Sequence, residues 1–241
     1  MHAGQLWDPT DINDRTVSLD GGVTKMQDET FRKEAASLWH FVANICRNPN
    51  YADLAAQSKA TLLHPGFVGV NYPIDGTGTL VVGMNPGGGA DTSNPQEKKT
   101  LINIRDSGSL ADYDHLNEVA AQLFSSWPIW KNNLLPLLKS ANVNPSTVAY
   151  IHAVPFRVFD NAQLSGLYVE AWNRVSIKQA TLLNPGRILL AGKTAGQKLL
   201  PLMSVKSKII VRSIGDNQFA DNVSKIAQSH SEIIADKAFW Q

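Results

Sequence analysis

The chain has 241 residues with 43% hydrophobic side chains, enough to bury a sizeable core in one large domain or two small ones. Lys and Arg total 22 and Asp and Glu total 21, which excludes a uniformly basic coat and leaves only a local basic groove for a polyanionic partner. A single cysteine, Cys46, excludes an internal disulfide and has no cysteine partner for a metal site.

Residues 1–27 are polar and read as an extended arm; residues 28–241 read as one domain. The first residues lack a basic segment followed by an apolar stretch, and no apolar run approaches the ~20 residues of a membrane span. The expected location is the cytoplasm, with no membrane association. From Glu29 to Arg47, Phe31, Ala35, Leu38, Trp39, Val42 and Ile45 follow helical spacing, with Asp28 or Thr30 as cap. Tyr51 to Leu63 reads as a further helix, stopped before Pro65-Gly66. Leu80 to Val82 reads as a strand, and Gly88 to Asp114, rich in Gly, Ser, Asp and Asn, as a long loop or a loop plus a short helix. Helices follow over Leu116–Phe124 and Asn132–Ala141, with Pro136 either a kink in the second or a sign of two short pieces. A strand over Thr147–His152 precedes a helix over Tyr168–Leu183, which Asn184-Pro185-Gly186 stops. Strands over Arg187–Ala191 and Lys208–Arg212 complete the set, with a last helix over Ala220–His230. Apolar strands separated by helices predict βα crossovers and a mainly parallel sheet covered on both faces.

The segment Thr79-Leu-Val-Val-Gly-Met-Asn-Pro-Gly-Gly-Gly89 is the most informative. A buried parallel strand runs into a tight turn, and ligands of open α/β sheets bind at that carboxyl end. Two phosphate-binding readings fail. Gly192-Lys193-Thr194 has the ending of a phosphate loop, but Arg187 stands where its first glycine belongs, and Ile188 to Ala191 read as strand. The glycines at 87–89 lack the later glycine of a dinucleotide fingerprint. The six histidines form no zinc-binding pair at helical spacing, so no metal and no cofactor is expected. Two polar residues remain at predicted strand ends. Asn85 offers one acceptor and two donors, enough to hold a water or read a base edge. His152 is either a satisfied strand-end histidine or a hydrogen-bond donor to a carbonyl oxygen.

Gly83-Met84-Asn85-Pro86-Gly87 after an apolar strand resembles the first motif of the uracil-DNA glycosylase superfamily. The likeness is to versions with Asn in place of the catalytic Asp, as in mismatch-specific and single-strand-selective monofunctional enzymes. Ala149–Arg157 and Leu183–Ala195 are similar to the family's second and third strand segments. The resemblance implies a three-layer α/β/α sandwich around a central, mainly parallel four-stranded sheet. It also implies cleavage of the N-glycosidic bond of a uracil, or a related deaminated base, flipped out of DNA, by a monomer in base excision repair. On that reading Asn85 positions the attacking water. His152 contacts the base or stabilises its departing anion. Gly83, Met84, Pro86, Gly87 and Phe156 shape the base pocket. Ser213, Ile214, Gly215, Asn217 and Lys193 face DNA, with Ile214 as the apolar wedge. The chain departs from the family at two places. His152 stands where many relatives carry Asn, and Arg212-Ser-Ile-Gly-Asp-Asn217 replaces a His-Pro-Ser or Asn-Pro-Ser turn. The alternatives are the same fold retained as a nucleobase- or DNA-binding module without catalysis, and a hydrolase of free nucleosides.

Overall fold

The structure is a computed structural model that describes residues 27–56, 58, 62–86, 94–128, 130–140, 143–158, 161–191, 198–202 and 208–212. Its centre is a sheet of five strands: β1 (Phe67–Val68), β2 (Thr79–Gly83), β3 (Val148–His152), β4 (Arg187–Ala191) and β5 (Lys208–Arg212). Their spatial order is β1-β3-β2-β4-β5. The pairs β2–β3, β2–β4 and β4–β5 are parallel, while the two-residue β1 lies antiparallel on the outer edge of β3. The expected four strands are therefore present, and a fifth, antiparallel one joins them. β1 is too short to show alternation in sequence. Among the described residues no helix is long and apolar enough to cross a membrane.

All five residues of β2 and of β3 are buried. Their continuous apolar runs, read from the sequence as a sheet covered on both faces, reflect two separate apolar clusters. Leu80, Val82, Ala149, Ile151, Ile188 and Leu190 belong to one, together with residues of α1 (Glu29–Ala43), α3 (Pro95–Asp106) and α7 (Ile177–Leu183). Val81, Val148, Tyr150, Leu189 and Ala191, which alternate with them, belong to the other, with Phe67, Phe124, Trp130, Leu134 and Leu138. Helix α4 (Leu110–Leu123) serves both: Tyr113 and Leu116 join the first cluster and Ala120 the second.

Helix α1 forms where its periodicity puts it. Asp28 caps it by accepting from the Phe31 N–H, and Phe31, Ala35, Trp39 and Val42 are buried. The expected helix from Tyr51 to Leu63 is much shorter, a single turn α2 (Ala52–Ala55). Tertiary pairing wins there: Ser58 bridges to Val158, and the His64 N–H donates to the Pro155 carbonyl. The described part of the Gly88–Asp114 stretch, expected as a loop or a loop plus a short helix, holds α3 and the start of α4, so helix takes up more of it than expected. Asn94 caps α3 by accepting from the Gln96 and Glu97 N–H groups, Pro95 fills the first helical position, and Leu101 and Ile104 turn into the core. Gly108, at φ +61°, breaks the chain between the helices, and Ser109 and Asp112 form a capping box on α4.

Two helices contain π-helical turns. Trp130–Leu134 runs without a break into α5 (Leu135–Ser140), so Pro136 stands just past the junction of a π and an α segment within one helical run. Trp172–Ser176 joins α6 (Asn161–Ala171) to α7, and helical backbone thus begins before the expected Tyr168. Residues 1–26 of the expected arm over 1–27, and the expected helix over 220–230, lie outside the described residues.

Candidate functional site

The spatial order makes β2 the central strand, with β3 on one side and β4 on the other. The chain leaves β2 towards β3 and crosses back to β4, so the carboxyl end of β2 is where connections diverge. That is the position at which open α/β sheets hold ligands. The β2–β3 pairing continues past the strands: the Ala153 N–H donates to the Gly83 carbonyl at 2.8 Å, and the Val154 N–H to the Met84 carbonyl at 3.0 Å. These two bonds fix the backbone immediately before Asn85. Asn85 is half-buried beyond them, Met84 packs against the first apolar cluster, and Pro86 is buried.

Gly83 lies directly opposite His152 in the β2–β3 register. A side chain at Gly83 has no room: its Cβ stands 2.4 Å from the Tyr150 hydroxyl oxygen and 2.9 Å from the ring carbon that bears it. The glycine that ends the apolar run is thus required by the tyrosine of the neighbouring strand. Burial raises the Tyr150 pKa, so this phenol is neutral.

His152, 5% exposed, anchors a buried polar cluster. Its ring stands edge-to-face to Tyr150 at 4.9 Å and to His64 at 5.4 Å. Nδ1 lies 3.3 Å from the His64 carbonyl oxygen. An oxygen only accepts, so Nδ1 carries the proton and Nε2 is left as the acceptor of the neutral ring. Burial holds the His152 pKa well below its ordinary value of 6.5, with His64 and Arg157 adding to the effect against the bond from the His64 backbone. Ser176, from the π turn before α7, donates its hydroxyl to the His152 carbonyl at 2.8 Å.

His64 is held in turn from two sides. The Gly66 N–H donates to His64 Nδ1 at 3.2 Å, which places the ring proton on Nε2. That nitrogen is 3.2 Å from Glu97 Oε1. Trp127 covers the His64 ring edge-to-face at 5.5 Å. Glu97 sits in the first turn of α3 and is 7% exposed. A carboxylate at that depth needs hydrogen-bond partners, and the His64 N–H together with the helix amino end supplies a favourable setting.

The structure thus brings together Gly83, Met84, Asn85, Pro86 and His152 at the joined ends of β2 and β3. Phe156 is fully buried and packs in the first apolar cluster. Gly87, Lys193, Ser213, Ile214, Gly215 and Asn217 lie outside the described residues. Sequence reasoning missed His64, Glu97 and Tyr150. A faint signal for Glu97 exists in Asn94-Pro-Gln-Glu97, where an Asn cap is followed three residues on by Glu. Among the described residues no group of three or more His, Cys, Asp or Glu side chains is arranged to hold a metal ion. No protein-family model matches the chain, and no curated protein matches it.

Proposed function

We propose that the chain is a monofunctional DNA glycosylase that hydrolyses the N-glycosidic bond of uracil, or a related deaminated base, flipped out of DNA. We take the sheet and its two apolar clusters as the core of a three-layer α/β/α sandwich. The observation that carries the reading is the placement of Asn85. Two backbone bonds between the β2 and β3 ends hold the residues before it, and Asn85 is half-buried just past the paired ends of these parallel strands. A base inside the duplex stack is unreachable, so extrusion costs a few kcal/mol before chemistry starts. The Asn85 carbonyl accepts from the attacking water and aligns it with the sugar carbon. As the bond to the base breaks, the sugar becomes oxocarbenium-like and the base leaves as an anion, and fixed dipoles around the pocket stabilise that separation of charge. The neutral His152 contacts the base from the neighbouring strand.

Purified protein is expected to release uracil from a labelled oligonucleotide. Asn85→Ala is expected to lower the rate by roughly a hundredfold or more, the scale of losing a positioned nucleophile. No release from single- or double-stranded uracil DNA, or an unaffected variant, rules the proposal out.

A second reading is a base- or DNA-binding module without catalysis. It is favoured by the commitment of the His152 N–H to a backbone carbonyl and the ring's neutral state, which give a departing anion no cation at that position. Salt-dependent binding of DNA without base release supports this reading over the first.

A further inference from the structure

We infer that His152 reads a hydrogen-bond donor on the bound base, and that Glu97, acting through His64, is the positioning residue that makes it do so. The inference rests on the base-binding part of the proposed function and extends it to the edge of the base that is recognised.

A neutral imidazole has one donor nitrogen and one acceptor nitrogen. In His152 the donor, Nδ1–H, is engaged by the His64 carbonyl, so the group left for a ligand is the Nε2 lone pair. The carbonyl that selects this tautomer belongs to a residue fixed at three further points. The His64 N–H donates to the Pro155 carbonyl at 3.2 Å. Nδ1 accepts from the Gly66 N–H, and Nε2–H faces Glu97. Glu97 itself is rigidly placed, because Asn94 caps the helix turn on which it stands. A buried carboxylate far away in sequence is therefore joined to the strand end through one histidine.

An acceptor at this position suits a lactam base edge, whose ring N–H lies beside carbonyl oxygens, as in uracil or hypoxanthine. It disfavours the ring nitrogen of cytosine or adenine, which is itself an acceptor and meets the Nε2 lone pair with repulsion. Discrimination of this kind arises because a buried polar group is left unpaired by the wrong partner. The site would thus separate a deaminated base from its parent by the one atom that gains a proton.

The first test is long-range ¹H–¹⁵N spectroscopy of the histidine rings in the full chain at neutral pH. His152 is expected as the Nδ1–H tautomer and His64 as the Nε2–H tautomer. A His152 ring with its proton on Nε2, or doubly protonated, overturns the inference without any variant having to fold. In Glu97→Gln, which keeps an acceptor for His64, the His152 pattern is expected to persist. In Glu97→Leu it is expected to broaden into both tautomers, and an unchanged pattern there removes Glu97 from the chain of positioning. The second test titrates the protein with free uracil and with 3-methyluracil. Uracil is expected to shift the His152 Nε2 resonance, and 3-methyluracil, which has lost the donor, to bind about tenfold more weakly or worse, the effect of one lost hydrogen bond. No shift with uracil, or equal shifts with both, overturns the assignment. Release of both bases from oligonucleotides at equal rates also overturns it while leaving glycosylase activity intact. Discrimination in the titration without any base release overturns the glycosylase and leaves the reading of His152 in place.

Discussion

Gly83 illustrates how one residue is fixed by its neighbour across a sheet. From the sequence it is the glycine that ends an apolar run and opens a turn. In the fold it is the one position in β2 whose missing side chain is filled by another residue, the Tyr150 hydroxyl. Gly83→Ala is expected to destabilise the protein by about 1–3 kcal/mol, the range for forcing extra atoms into a packed core. Urea unfolding measures this. The conflict involves the Tyr150 hydroxyl oxygen first and its ring carbon second, so the same substitution in a Tyr150→Phe background is expected to cost less. A double-mutant cycle reports the difference as a coupling energy, and a coupling of zero means that the tyrosine is not what excludes a side chain there.

Helix α3 shows where the sequence speaks and where it does not. The four longer strands were legible because each carries a short apolar run bounded by turn residues, and in β2 and β3 that run is buried throughout. The extent of helix α3 was hidden by composition, since the glycines, serines and aspartates around it read as loop with at most a short helix. Its own signals are local and small: the Asn94 cap, Pro95 at the first position, and Leu101 and Ile104 three residues apart. The reverse error, reading helix through to Leu63, came from apolar residues such as Leu62 and Leu63, which pack into the first cluster from non-helical backbone. The site divides in the same way. Asn85 and His152 were legible because strand ends are where chemistry collects, whereas Glu97 and His64 meet only after α3 docks beside the sheet. Asn94→Ala is expected to lower stability by about 1 kcal/mol with an unchanged urea m-value, as loss of a helix cap does. Because the cap accepts from the Gln96 and Glu97 N–H groups, amide exchange is expected to rise at those two residues more than in α4, which keeps its own Ser109 cap. Equal changes in both helices mean that the cap does not act locally.

At the scale of the whole molecule, the buried histidine couples folding to pH, and the sign follows from the direction of its shift. Unfolded, His152 titrates near 6.5; folded, burial and its neighbours hold it well below that. Above pH 6.5 both states are neutral at this ring and its contribution to stability is complete. Below pH 6.5 the unfolded chain takes up a proton that the folded chain refuses, so stability falls as pH falls, by at most about 1.4 kcal/mol per pH unit for one group. The loss continues until the folded-state pKa is reached. The aspartates act in a separate window. Hydrogen bonds from Arg174 hold Asp53 at about 2, below its ordinary 3.8, and Ser107 and Ser109 lower Asp112. Their stabilising contribution is present above about pH 3.8 and is lost as pH falls further. The interval between roughly pH 6 and pH 5 therefore belongs to histidine and not to these aspartates. In His152→Asn the side-chain amide takes over donation to the His64 carbonyl without a titrating ring. Chemical unfolding across that interval is expected to show a slope about one proton smaller for the variant than for the natural chain, with the two profiles running parallel above pH 7. Parallel profiles throughout would mean that His152 charges as readily folded as unfolded, against the direction that its burial between His64 and Tyr150 implies.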